Sequence, residues 1–243
     1  MTHAIRIAAS AWALVAALPA AAQADVTAGV ELATDENRRG LSWSAGRVAP
    51  SADIAATLGA WEASGRIVAL RGSPRHAGAD MVADLQLAGA WELGPVRLRG
   101  RGIAHVFAGA RGRQDYVEVG GDATYAIGPL QIDGGVLVAP AQRAVGGTNV
   151  YVFAGAAAGL PGTPVTLSAG IGHTTGGSGA RADRLRPGGA YTDWRLGAEF
   201  NRARLTLALD YVGTDIGSGS AILPVGDPVH AGDRIVARAR LAL

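Results

Sequence analysis

Between Tyr191 and Asp215 the chain changes chemical character at every residue, and it does so in two successive runs. Thr192, Trp194, Leu196, Ala198 and Phe200 share one parity against Tyr191, Asp193, Arg195, Gly197 and Glu199; after Asn201-Arg202-Ala203, the residues Leu205, Leu207, Leu209 and Tyr211 oppose Arg204, Thr206, Ala208 and Asp210. A period of two belongs to extended strands, whose successive side chains point to opposite faces, and the short link fits a hairpin. Such a pair has two homes. A soluble sandwich would turn Leu and Trp inward, whereas a membrane barrel would turn them to lipid and keep the charges around a wet interior.

The N-terminus favours the second home. Arg6 precedes the apolar run Ile7 to Leu18, and Ala22-Gln23-Ala24 follows it, which is the pattern of an export signal cut after Ala24. The run is shorter than the roughly 20 residues of a spanning helix, and later apolar runs are broken by polar residues, Gly or Pro. Residues 1–24 are therefore expected to be a signal peptide and residues 25–243 a single barrel domain. The chain has no Cys, so an exported protein of this sequence has neither a disulfide framework nor a thiolate metal site. All 22 basic residues are Arg, and removal of Arg6 leaves 21 against 20 acidic residues. That near-neutral balance gives no reason to expect a nucleic-acid partner.

The same rhythm recurs along the mature chain. Val26 to Leu32 alternates, and after the polar connection Thr34 to Gly40 further strands are expected at Leu41 to Arg47, Ala52 to Trp61 and Arg66 to Arg71. Met81 to Leu93 and Val96 to Phe107 flank Gly94-Pro95, while Tyr116 to Ile127 and the run from Leu130 flank Gly128-Pro129. Val150 to Ala158 and Val165 to Gly172 flank Leu160 to Pro164, with Pro at the junction because it has no amide to give a ladder. His173 to Gly189 and Gly213 to Asp233 read as long loops, and the chain ends in a strand with Ile235, Ala237, Ala239, Leu241 and Leu243 on one face. Turns this short leave no room for crossover helices. The expected fold is an all-β, antiparallel, up-and-down transmembrane β-barrel of about twelve strands, with ten as the alternative; pairing the last strand with the first would remove both open edges.

Parity also nominates the interior. Arg97, Arg99, Arg101, Glu118, Asp122, Asp133, Asp193, Arg195, Glu199, Arg204, Asp210, Arg234, Arg238 and Arg240 are candidate pore-lining residues. Opposite charges across a narrow lumen would hold the wall together, whereas an excess of Arg at a constriction would favour anions. Trp91, Tyr125, Trp194 and Tyr211 are candidates for the interfacial belts, with ordinary packing as the alternative. His173 near Thr174, Thr175 and Ser178, with Asp183 or Asp193 to orient it, is the one arrangement with the ingredients of a nucleophilic site, although a solvent-facing loop histidine has the same surroundings. His76, His105 and His230 form no local metal motif, and Gly176 to Gly179 lacks the Lys of a phosphate-binding loop. No catalytic activity, cofactor or metal is expected.

The segments ELATDENRRGLSWS, DYVEVGGDATYAIGPLQIDGGVL, GLPGTPVTLSAGIGH and YTDWRLGAEFNRARLTLALDYVGTD occur in an order that resembles the TorF family of outer-membrane proteins proposed to be porins. The Pro-Gly-Thr-Pro junction and the final Tyr-Val-Gly-Thr-Asp carry most of the likeness. Glu36-Asn37 departs from it where aromatic residues are usual, and Leu243 stands where outer-membrane barrels commonly end in Phe. The resemblance implies a barrel in the outer membrane of a Gram-negative bacterium, in contact with outer-membrane lipids and the barrel-assembly machinery, passing small polar solutes or ions. The competing expectations are a nonconducting structural or adhesion barrel and, more remotely, a lipid hydrolase or acyltransferase using His173. An open charged interior argues for the first, a plugged one for the second.

Overall fold

A computed structural model of the chain describes residues 24–217 and 230–243. The expected export signal, up to its last residue, and residues 218–229 of the final long loop lie outside the described residues. The strands are β1 (Asp25–Ala33), β2 (Asn37–Arg38), β3 (Leu41–Ser42), β4 (Ala49–Leu58), β5 (Trp61–Ser73), β6 (Ala79–Leu93), β7 (Val96–Ala108), β8 (Tyr116–Ile127), β9 (Leu130–Gln142), β10 (Gly147–Gly159), β11 (Val165–Gly176), β12 (Tyr191–Arg202), β13 (Leu205–Thr214) and β14 (Arg234–Ala242). All but β2 and β3 form a closed antiparallel barrel of twelve strands, each beside its neighbours in sequence, with β14 returning to β1.

The alternation sets the wall. Val30, Leu85, Trp91, Leu209 and Ile235, from four different strands, all face outward and are exposed, as are the other large apolar residues of their parity. Proteins that face water rarely expose contiguous apolar patches larger than a few hundred Å², and a belt continuous around a barrel is the surface that lipid covers. The fold is therefore a transmembrane barrel. Trp61, Trp91 and Tyr125 lie on strands near the short turns, while Trp194 and Tyr211 lie toward the opposite end, where the Tyr211 hydroxyl donates to Asp233 Oδ2 at 2.7 Å. Leu209→Arg puts a charge into that belt and is expected to destabilise the folded barrel by about 2–4 kcal/mol. Urea titration in lipid vesicles measures this; an unchanged midpoint would contradict the outward orientation.

Three expected strands, all in the first third of the barrel, are replaced by something different in the structure, each for a local reason. Ala52 to Trp61 is not one strand, because Gly59 adopts φ 58° and turns the chain so that Trp61 opens β5. Arg66 to Arg71 is the middle of that longer β5, whose inward residues include small and polar side chains that dilute the alternation. Leu41 to Arg47 is not a barrel strand at all: β2 and β3 pair only with each other.

The seam that closes the barrel is short. β1 and β14 are in register over five residue pairs, from Gly29 opposite Ala242 to Ala33 opposite Arg238, while β6 and β7 are in register from Met81–Ala108 to Leu93–Val96. A side-chain strap reinforces the seam. Arg240 of β14 crosses over β1 at Gly29, where a Cβ would collide with its guanidinium, and binds the Asp53 carboxylate on β4, with Nη2 2.9 Å from Oδ2.

Candidate functional site: an occluded lumen

Twelve strands spaced ~4.8 Å apart and tilted ~40° make a wall about 75 Å around, or about 12 Å in backbone radius, which inward side chains alone would leave partly open. The segment between β1 and β4 fills one end. Its tip, Arg39-Gly40, has φ 52° and 72°, the two left-handed residues of a tight hairpin turn that joins β2 to β3. Gly40 is required twice, by its φ and because a Cβ would lie 2.7 Å from the Gly213 carbonyl and 2.9 Å from Asp193 Cβ. The base is tied by Asp35, whose Oδ1 accepts from the hydroxyls of Ser42 (2.5 Å) and Ser44 (2.8 Å) and whose Oδ2 lies 3.0 Å from Arg234 Nε.

Ion pairs fasten this hairpin to the wall. Arg38 reaches Asp84 on β6 (2.7 Å), Arg39 reaches Glu118 on β8 (2.7 Å), and Glu36 takes Arg66 of β5 (2.8 Å) as well as its neighbour Arg38 (2.7 Å). His105 bridges the two wall carboxylates, 2.7 Å from Asp84 and 3.3 Å from Glu118. Above these, Trp43 packs 4.2 Å from the His76 ring and 5.8 Å from Phe107, within a buried cluster that includes Leu41, Val68, Leu70, Tyr116 and Tyr191. Burial raises the Glu36 pKa, but Arg38 and Arg66 outweigh it and leave the carboxyl below its ordinary value.

The long loops close over the hairpin. Arg184 is fully buried, donating from Nε to His76 Nδ1 (3.1 Å) and from Nη1 to the carbonyls of Gln114 (2.7 Å) and Ala144 (3.2 Å). Arg75 donates to the Ser42 carbonyl at 3.0 Å and to that of Arg184 at 3.3 Å, so one pair of arginines links four loops to the hairpin. Burial holds the His76 pKa well below the imidazole range, helped by the Arg184 and Arg75 charges, so its Nδ1 is free to accept. Burial also lowers Arg184, to about 10, leaving it cationic at neutral pH.

The opposite half is wet. Inward-facing Arg97, at the short-turn rim, has 51% of its side chain exposed, and Arg195, facing the chamber between that rim and the hairpin, 47%, against 2% for Glu118 and 7% for His105 beside the hairpin. Beneath the hairpin lies a chamber of about 600 Å³ whose lining includes Asp35, Glu36 and Arg39 from the hairpin and Tyr151, Arg195 and Arg238 from the wall.

The charges expected inside fall into distinct groups. Arg99 and Arg101 share Asp122 (3.3 and 3.2 Å), and Arg195 and Arg238 share Asp210 (2.7 and 2.9 Å). Glu118 and Arg234 serve the hairpin, Arg240 the seam, and Asp133 and Asp193 line the chamber. Arg97, 3.5 Å from Glu92, and Glu199, which accepts from Asn201 at 2.9 Å, belong to the short-turn rim. Arg204 is a correction: Ala203 takes φ 52°, so Ala203-Arg204 forms the β12–β13 turn and Arg204 is not part of the wall. The arrangement around His173 is likewise different from a catalytic one. β11 extends through Gly176, His173 faces outward with Nδ1 3.1 Å from Thr192 Oγ1, and Thr174 and Asp193 are on the inward parity. No cluster of three or more His, Cys, Asp or Glu suited to a metal occurs among the described residues.

The principal interior residues absent from the expected set are Asp35, Glu36, Arg38, Arg39, Trp43, Arg66, Asp84 and His105. A signal for the hairpin was present in Asn37-Arg38-Arg39-Gly40-Leu41-Ser42, a Gly-containing turn between short polar flanks, with Asp35-Glu36 offering charges opposite to Arg38-Arg39.

These features define a twelve-stranded transmembrane barrel with a folded hairpin seated inside one end. The chain belongs to the family described as "Bacterial protein of unknown function (Gcw_chp)", which matches residues 17–223. No curated protein matches it. Among solved structures, the COG4313 outer membrane channel from Pseudomonas putida F1 is similar over 93% of this chain and 97% of that one, at 13% identity and a TM-score of 0.52. A structure from work on the mechanism of in-meso crystallization of membrane proteins is similar over 90% of this chain and 83% of that one, at 12% identity and a TM-score of 0.55. At such identities the likeness is one of fold.

Proposed function

We propose that the protein is an outer-membrane channel of Gram-negative bacteria for small polar solutes or ions, closed in this conformation by the β2–β3 hairpin. The observation that carries this reading is the gradient along the lumen, from water-exposed charges in the short-turn half to a sealed hairpin whose contacts with the wall are largely ion pairs. Ion pairs can exchange for water when the hairpin moves, so such a plug has an undocked state within reach. The resemblance to the TorF family and the likeness in fold to an outer membrane channel support the same reading. A nonconducting barrel is the second reading, and the buried cluster around Trp43 favours it.

Planar-bilayer recording from folded protein separates the two. The channel reading expects discrete openings separated by long closures. Silence from both the intact protein and a variant without the hairpin would sink it.

A further inference from the structure

The chamber beneath the hairpin carries its charge unevenly. Its lining holds six carboxylates, from Glu31, Asp35, Glu36, Asp133, Asp193 and Asp210, against four guanidiniums. Glu31, Asp35, Glu36 and Asp210 each lie within ion-pair distance of at least one Arg. Asp133 and Asp193 have no Arg partner among the described residues, and one oxygen of Asp193, a residue only 7% exposed, accepts no hydrogen bond.

Two aromatic rings lie between these carboxylates. Tyr151 and Phe153 are stacked on β10, with centroids 5.6 Å apart and an interplanar angle of 19°. Glycines allow their posture. A Cβ at Gly172 would enter the Tyr151 ring and one at Gly135 would come within 2.8 Å of Phe153 Cζ, so both rings lie along the wall. Tyr151 thereby reaches Asp193 Oδ1, donating at 3.3 Å. Asp133 in turn leans over Gly155, whose Cβ would be 3.0 Å from Oδ1. Phe153, Gly172 and Asp193 occupy one rung across β10, β11 and β12, while Asp133 is opposite Gly155 on the other side of Phe153. Arg39, ion-paired with Glu118, covers one face of Tyr151 at 4.4 Å from its centroid, and Arg101 lies 6.0 Å from the Phe153 centroid, so a ligand is left the chamber-facing sides of the two rings.

We infer that this wall is a binding site for a linear organic di- or polycation, its ammonium groups at Asp133 and Asp193 and its alkyl chain across the Tyr151 and Phe153 faces. The two carboxylates stand on strands three interstrand spacings apart, about 14 Å along the wall and less across its curvature. That separation excludes a shared metal ion, whose oxygen ligands sit ~2–2.6 Å from it, and matches an extended polyamine. Aromatic faces attract ammonium groups and the methylenes beside them. An anion would meet two carboxylates with no Arg at ion-pair distance among the described residues. This names the solute class of the chamber and rests on the channel reading for the route of entry.

Isothermal titration of the folded barrel in detergent with spermidine, at fixed ionic strength, tests the site without any need for conductance. Asp133→Asn and Asp193→Asn should each weaken binding by about tenfold, and Tyr151→Phe, which removes only the hydroxyl that holds Asp193, by about threefold. Heat-modifiable mobility on SDS gels establishes that each variant is folded, and if Asp193→Asn does not fold, Asp133→Asn and Tyr151→Phe carry the test. No binding to the intact protein, unchanged binding in the folded variants, or an equal loss in the rim variant Glu92→Gln would overturn the site. Spermidine binding without conductance in any variant would remove the channel and leave the site; conductance without spermidine binding would do the reverse.

Discussion

Replacing residues 36–45 with a short Gly-Ser linker is expected to raise the single-channel conductance by about tenfold, because the hairpin and not the wall is the narrowest part of the lumen. The excised segment carries Trp43 and Leu41 out of the sealed end and releases Asp84, Glu118 and Arg66 from their hairpin partners. With a backbone radius near 12 Å and side chains reaching inward by about 5–6 Å, the emptied barrel leaves an opening roughly 12 Å across. The barrel itself should survive, since β2 and β3 contribute no rung to it. Recording from the refolded variant measures the effect. Unchanged conductance in a folded variant would show that the loops around Arg184, without the hairpin, form the barrier.

Acid is expected to open the intact protein. The Glu36 carboxyl is held below its ordinary 4.5. Its stabilisation of the docked hairpin is therefore complete above pH 4.5 and is lost as pH falls through the lowered value. Open probability should stay low from neutral pH down to that range and climb below it. Glu36→Gln removes the charge at every pH. Breaking a buried pair costs about 3–5 kcal/mol, and because Arg38 and Arg66 keep some contact with solvent, about 3 kcal/mol is the better expectation, close to a hundredfold shift toward the open state. Bilayer recordings of both proteins between pH 7 and pH 3 provide the check. A Glu36→Gln channel that stays shut at neutral pH and still opens in acid as the intact protein does would remove Glu36 from the latch.

How much of this was legible depended on whether a residue obeyed a short-range rule. The wall obeyed one. Leu205, Leu207, Leu209 and Tyr211 alternate with Thr206, Ala208 and Asp210 because lipid and lumen alternate along each strand, and Gly94-Pro95 and Gly128-Pro129 mark turns by their backbone chemistry alone. The hairpin inside the barrel obeyed no such rule. Arg38 meets Asp84 and Arg39 meets Glu118 across separations of 46 and 79 residues, pairings that no local period encodes. The residues from Leu41 to Ser44 are buried in succession, regardless of parity, so the alternation that suggested a strand had lost its meaning there. His173 and Asp193 looked close in sequence terms, yet a strand's two faces send them to opposite sides of the wall. Tyr151 reads from the sequence only as a strand residue, because its posture depends on Gly172 of the neighbouring strand, which no local pattern places beside it.

The short seam between β1 and β14 bears on the order in which the molecule is made. Every other wall pairing joins strands adjacent along the chain, apart from β1–β4, which is separated only by the hairpin segment; the seam joins residues 29–33 to residues 238–242. Its formation has to wait for the whole chain, because bringing the two ends together carries the largest loop-closure entropy in the fold. The zipping of neighbouring hairpins can therefore run to completion while the cylinder is still an open, curling ribbon with two unsatisfied edges. Arg240 reaching over Gly29 to Asp53 acts only after those edges meet, and works as a clasp on the finished ring.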